Sequence, residues 1–284
     1  MKKQQFVVAG GGILILVVFY FFGNTVSPIK KSEAAGSPQE PAKTLDIKAI
    51  LEVSKSKLSP TQLEYVSRLE NAVVRGDVKN QQIIAYHQLA GFWKDSVQNA
   101  FLPSVYYMEE AAKLENSEKS LTFAAQLFLS NLRGQENPEL RSWMANQSRD
   151  LFERAEKLNP SNDSTIVGLG ATYIFGSTGQ QPADVMKGIQ KILEVTRRDS
   201  MNMYAQLMLG LGGIESGQYD KAIPRLLKVA GHDPANLEAV LSLGEAYERT
   251  GEKASAKKWY AAAKKQTNNP DLVNAINERL ESLK

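Results

Sequence analysis

The chain of 284 residues contains no cysteine. Disulfides, thiolate nucleophiles and cysteine-ligated zinc or iron–sulfur centres are thereby excluded. Histidine is nearly as scarce, with two copies, His87 and His232, and no His-x-x-x-His pair. A helical zinc site of that kind is excluded as well. His87 reads as a helix-surface position, and His232 belongs to the turn Gly231-His232-Asp233-Pro234. No Gly-x-x-x-x-Gly-Lys-Ser/Thr occurs, and Gly168-Leu169-Gly170 follows no strand, so a nucleotide cradle has no support. Carboxylates are plentiful, but pairs such as Glu278 and Glu281 stand one turn apart on a solvated face. The expectation is a non-enzyme without metal or cofactor.

Acidic residues are missing from one region. No Asp or Glu precedes residue 32, whereas Lys2, Lys3, Lys30 and Lys31 all do. The remainder holds 30 basic and 31 acidic residues, a net charge of −1. The basic excess is therefore confined to the N-terminus, and charge gives no argument for nucleic acid. Between those lysines lies an uncharged run, 6–22, of 17 residues. At about 1.5 Å per residue it just reaches across a bilayer core. A cleaved signal peptide is the alternative. Bulky Phe19, Tyr20, Phe21 and Phe22 close the run, and no small-x-small site follows nearby. The expectation is thus an N-terminal transmembrane helix within an anchor at 1–31, touching the lipid bilayer through residues 6–22. Lys2 and Lys3 place its N-terminus inside and the body outside. A flexible linker, 32–44, follows and carries Pro38 and Pro41.

The body is organised around 203–270. Two consecutive blocks of 34 residues lie over each other without a gap. Leu209-Gly210 returns as Leu243-Gly244, Gly217 as Gly251, Ala222 as Ala256, Leu226 as Tyr260 and Val229 as Ala263. Glycine in a helix interior costs about 1 kcal/mol against alanine, so its return at one offset predicts a contact too close for a side chain. Ala222 and Ala256 fit the opposite side of such a contact. Gly217 and Gly251 end a first helix, and Asp233-Pro234 ends a second. A fixed period of this length is a solenoid signal.

These residues resemble the tetratricopeptide repeat family. The pattern extends upstream, where Leu169-Gly170 and Tyr173 begin a unit near Asp163 with a turn enlarged over 175–182. Further back, Phe152 and Ala155 match a second helix whose expected alanine is Ser148. The fold implied is an all-α, tetratricopeptide-repeat-like solenoid of antiparallel helix pairs behind the transmembrane helix. Residues 45–160 form a divergent helical region, and 161–284 the repeats with a capping helix from Pro270. Ser59-Pro60 opens a helix in the divergent region, and Arg75-Gly76-Asp77 reads as a turn.

The resemblance implies a membrane-tethered scaffold or adaptor that binds a protein or peptide partner and assists secretion or envelope assembly. It also implies a single-pass protein of the bacterial inner membrane with its body in the periplasm. A structural oligomerising subunit, or an envelope peptide- or peptidoglycan-processing enzyme, are the alternatives. In the family the first helix of each unit lines the groove. Carried onto this chain, that gives Val167, Ile174, Phe175, Tyr204, Leu211, Ile214, Glu245 and Glu248 as expected protein-binding residues, apolar in the middle and charged at the C-terminal end.

Overall fold

Short polar side chains set the helix starts. Asn202 Oδ1 accepts from the Ala205 N–H at 3.0 Å, and Asn236 Oδ1 accepts from the Ala239 N–H at 3.0 Å. Each satisfies a first-turn donor that has no partner within its helix. These caps stand 34 residues apart, so the sequence period is also a hydrogen-bonding period. Ser59 and Gln62 cap reciprocally: the Gln62 N–H donates to Ser59 Oγ at 3.3 Å, and the Ser59 N–H donates to Gln62 Oε1 at 3.0 Å. Asn137-Pro138 and Asn269-Pro270 place proline at the helix entry, where its missing N–H costs nothing.

A computed structural model of the chain describes residues 45–75, 78–177 and 182–284. Along them run α1 (Ile47–Lys55), α2 (Pro60–Arg75), α3 (Lys79–Ser96), α4 (Phe101–Glu115), α5 (Glu118–Ser130), α6 (Pro138–Leu158) and α7 (Asp163–Gly176). They continue with α8 (Pro182–Arg198), α9 (Met203–Glu215), α10 (Tyr219–His232), α11 (Leu237–Arg249), α12 (Lys253–Lys264) and α13 (Pro270–Ser282). The expected turn Arg75-Gly76-Asp77 and the enlarged turn at 175–182 lie partly outside the described residues. Helix α7 runs through Gly176, and α8 resumes at Pro182.

Helix α3 packs along α4, α5 along α6, α7 along α8, α9 along α10 and α11 along α12, while α13 closes on α12. The first helices α5, α7, α9 and α11 also touch in succession, which is the stacking of a solenoid. One hydrophobic core runs without a break from Val105 and Leu121 to Ile276 and Leu283. A second, around Leu51, Val66, Leu89 and Trp93, lies under α1–α4, and Met108 packs against both.

The repeated glycines sit at close approaches. A Cβ on Gly210 would stand 2.8 Å from Leu226 Cδ2, and one on Gly244 would stand 2.7 Å from Tyr260 Cδ1. The partner is therefore the large residue of the second helix rather than Ala222 or Ala256. Ala222 instead faces Gly213, where a Cβ would be 2.9 Å from its own. Ser148, standing where the repeat has alanine, is fully buried with its hydroxyl satisfied. It donates to the Ala125 carbonyl at 3.1 Å and shares a hydrogen bond with Thr172 Oγ1 at 2.9 Å.

The membrane expectation is corrected here. Among the described residues no helix is long and apolar enough to cross a membrane. Helix α7 is buried almost throughout, yet its 14 residues span only about 21 Å against a bilayer core of roughly 30 Å. Helix α6 has 21 residues, but charges interrupt it throughout. The run 6–22 lies outside the described residues. The described residues accordingly form an all-α solenoid of paired helices, none of which is a transmembrane helix. Membrane anchoring, lipid-bilayer contact through 6–22, and single-pass inner-membrane placement with a periplasmic body are withdrawn with it.

Candidate functional site

At the C-terminal end of the solenoid a cavity of about 650 Å³ lies between α11 and α13. Both walls are helical stripes. Glu238, Leu241, Ser242 and Glu245 line it from α11, at i, i+3, i+4 and i+7. Leu272, Ala275, Ile276 and Arg279 line it from α13 at the same spacing. Tyr260 of α12 also lines it, and Arg133, from the segment after α5, reaches in from the opposite side.

Charges at this site are largely paired. Arg133 Nη1 lies 2.5 Å from Glu238 Oε1, and its guanidinium stands 5.4 Å from the Phe175 ring centroid. Arg279 Nη1 lies 3.3 Å from Glu248 Oε1, and Tyr260 Oη donates to Glu248 Oε2 at 2.7 Å. Burial, and then the hydrogen bond to Glu248, raises the Tyr260 phenol above its ordinary value. It is a neutral hydroxyl donor at physiological pH. Among the described residues Glu245 makes no ion pair or side-chain hydrogen bond. Beside the polar groups, Leu237, Leu241, Leu272 and Ile276 supply an apolar floor.

The expected binding residues divide into two groups. Glu245 lines the cavity, and Glu248 sits at its rim in the Tyr260–Arg279 cluster. Val167, Ile174, Phe175, Leu211 and Ile214 are buried in the continuous core. Tyr204 is half-buried, and its hydroxyl is bonded to the Gln126 amide at 2.9 Å. Burial pushes its phenol up to about 12. Helix α5 thus reaches over to α9 through Gln126, and the segment after it reaches α11 through Arg133. Both contacts fall across the middle of the groove.

Four cavity residues escape the repeat offsets. Arg133 follows α5 in a segment with no periodic signal, and its partner Glu238 lies 105 residues away. Leu272, Ile276 and Arg279 belong to the terminal helix, whose apolar stripe reads as packing on the last repeat. The full spacing of that stripe was the available signal. Neither a cysteine nor, among the described residues, any group of three or more His, Asp or Glu is placed to hold a metal ion.

The tetratricopeptide repeat model matches residues 214–278, which include α10–α12, most of α13 and every cavity-lining residue except Arg133 and Arg279. No curated protein matches the chain. Among solved structures the chain is similar to YrrB, described as a TPR protein with an unusual peptide-binding site. Identity there is 14%, over 74% of this chain and 97% of that chain, with a TM-score of 0.40. It is similar to MamA at 18% identity, over 66% of this chain and 92% of that chain, with a TM-score of 0.41. A tetratricopeptide repeat protein from Parabacteroides merdae ATCC 43184 shares 13% identity, over 79% of this chain and 99% of that chain, with a TM-score of 0.29. At such scores these likenesses carry no functional argument.

Proposed function

We propose that the chain is a non-catalytic scaffold or adaptor that holds a segment of a partner protein between α11 and α13. The carrying observation is the pair of facing stripes: four residues on each helix, at one spacing, around a cavity of about 650 Å³. That size falls within the roughly 300–1,000 Å³ of ordinary ligand pockets, and an apolar floor beside polar groups suits a peptide side chain and its backbone. Glu245 and Glu248 are the expected binding residues that this reading retains. Leu241, Leu272, Ile276 and Arg133 join them.

A photo-cross-linking amino acid placed at Ala275, which lines the cavity, tests the reading. The same group at Lys258, exposed on α12, is the control. The expected result is a discrete cross-linked partner from Ala275 in native lysate and none from Lys258. Equal labelling from both positions would remove the groove from the argument.

A further inference from the structure

Two arginines and two glutamates line the cavity, but one of the arginines, Arg279, is paired with Glu248 at the rim. Arg133 is matched by Glu238 at 2.5 Å, and Arg279 is matched by Glu248 at 3.3 Å. The phenol of Tyr260 is spent on the same Glu248. That leaves Glu245, whose side chain lines the cavity and meets no cation within ion-pairing distance. Arg249, one turn further along α11, is exposed and makes no ion pair with it. Among the described residues Glu245 is therefore the cavity carboxylate without an ion-pair partner, set beside the aliphatic side chains of Leu241, Leu272 and Ile276. Leu241 and Glu245 are four residues apart on one helix face, so an occupant that touches one is within reach of the other.

Resting on the groove reading above, we propose that the cavity selects partner segments in which an aliphatic side chain is accompanied by a lysine or arginine. The aliphatic group sits on Leu272 and Ile276, and the cation meets the Glu245 carboxylate. An acidic segment is disfavoured twice. It repels Glu245, and it competes with Glu238 and Glu248 for arginines that are already paired. A charge in a partly desolvated site discriminates between partners mainly by excluding the wrong sign, and Glu245 is placed to do so. The two existing ion pairs also occupy the arginines of the cavity. Arg133 is paired with Glu238 and Arg279 with Glu248, so Glu245 is the side chain free to answer a ligand.

The test uses the full chain and three fluorescent, end-blocked nonapeptides built from a Leu-Ser-X triplet, with X as Lys, Ser or Glu. Binding is read by anisotropy at physiological ionic strength. The expected result is that the Lys peptide binds about tenfold or more tighter than the Glu peptide, with the Ser peptide between them. Glu245→Gln should bring that ratio to within about twofold. Glu278→Gln, which removes the same charge from an exposed site on α13, should leave it unchanged. If both substitutions lower the ratio equally, the preference is a property of net charge and the proposal is overturned. If all three peptides bind alike and Leu272→Ser weakens each of them, the groove stands and its charge selectivity falls. If no peptide binds, or if Leu272→Ser changes nothing, the groove reading falls together with the selectivity.

Discussion

Arg133 and Glu238 form an ion pair at 2.5 Å although 105 residues separate them. The pair joins the segment after α5 to the first turn of α11, passing over the two helix pairs between. Both side chains keep some solvent contact, at 28% and 50% exposure, so the Coulombic gain is screened. A double-mutant cycle with Arg133→Ala and Glu238→Ala should return a coupling of about 0–1 kcal/mol. A coupling above about 2 kcal/mol would mean that the pair is far better desolvated than its exposure indicates.

Phe175 decides whether the middle of the groove is a surface or a core. It is 3% exposed and lies under the Arg133 guanidinium. Phe175→Ala should cost about 3–5 kcal/mol in chemical denaturation, the ordinary consequence of emptying a packed aromatic site. A variant that melts with the wild type and loses only partner binding would return Phe175 to the binding surface.

The glycines provide a prediction with its own control. Gly210→Leu and Gly244→Leu should each cost about 1–3 kcal/mol or more, because even a Cβ comes within 3 Å of Leu226 or Tyr260. Gly231→Ala, in the last turn of α10, meets no atom within 4 Å. It should be neutral or stabilise by up to about 1 kcal/mol through helix propensity. Equal losses at all three positions would contradict the packing described.

Tyr204 gives a dependence on pH. Its phenol is pushed up to about 12 by burial, so the folded chain keeps its proton where the unfolded chain begins to lose it, near pH 10. Stability from this group is complete below pH 10 and declines as pH rises from 10 towards 12. Tyr204→Phe loses the bond to Gln126 and should cost about 1 kcal/mol at neutral pH. Urea denaturation between pH 8 and 11 should show that deficit shrinking above pH 10. A deficit that widens instead would reverse the sign of the argument.

The parts of this fold that were legible in the sequence are those set by local physics. Ser59-Pro60 opens its helix because a short hydroxyl reaches its own backbone. Gly217 and Gly251 adopt φ of +70° and +81°, as turns closed by glycine require. Glu245 shares a helix stripe with Leu241 because one repeat fixes the faces of the next, and that stripe lines the cavity. Curvature was not legible. The bond between Gln126 and Tyr204 and the pair between Arg133 and Glu238 depend on how far the superhelix coils, which no window of 34 residues contains. Val167 and Leu211 occupy groove offsets yet are fully buried in the continuous core. The partner of Gly210 was misassigned for a related reason. A small residue suggests a small neighbour, but the space left by glycine is filled by Leu226. The membrane reading rested on residues 6–22 alone, and no helix among the described residues offers a second route to it.

Gly170 of α7 and Gly188 of α8 meet at a close approach of two helices. A Cβ on Gly170 would stand 2.7 Å from the Gly188 carbonyl oxygen, so here the two backbones touch with no side chain between them. A joint of this kind has no rotamer to change and no methylene to compress. The α7–α8 contact thus leaves no room for even a methyl group on either glycine, whereas the space beside Gly210 is already filled by the Leu226 side chain, which has rotamers through which to adjust.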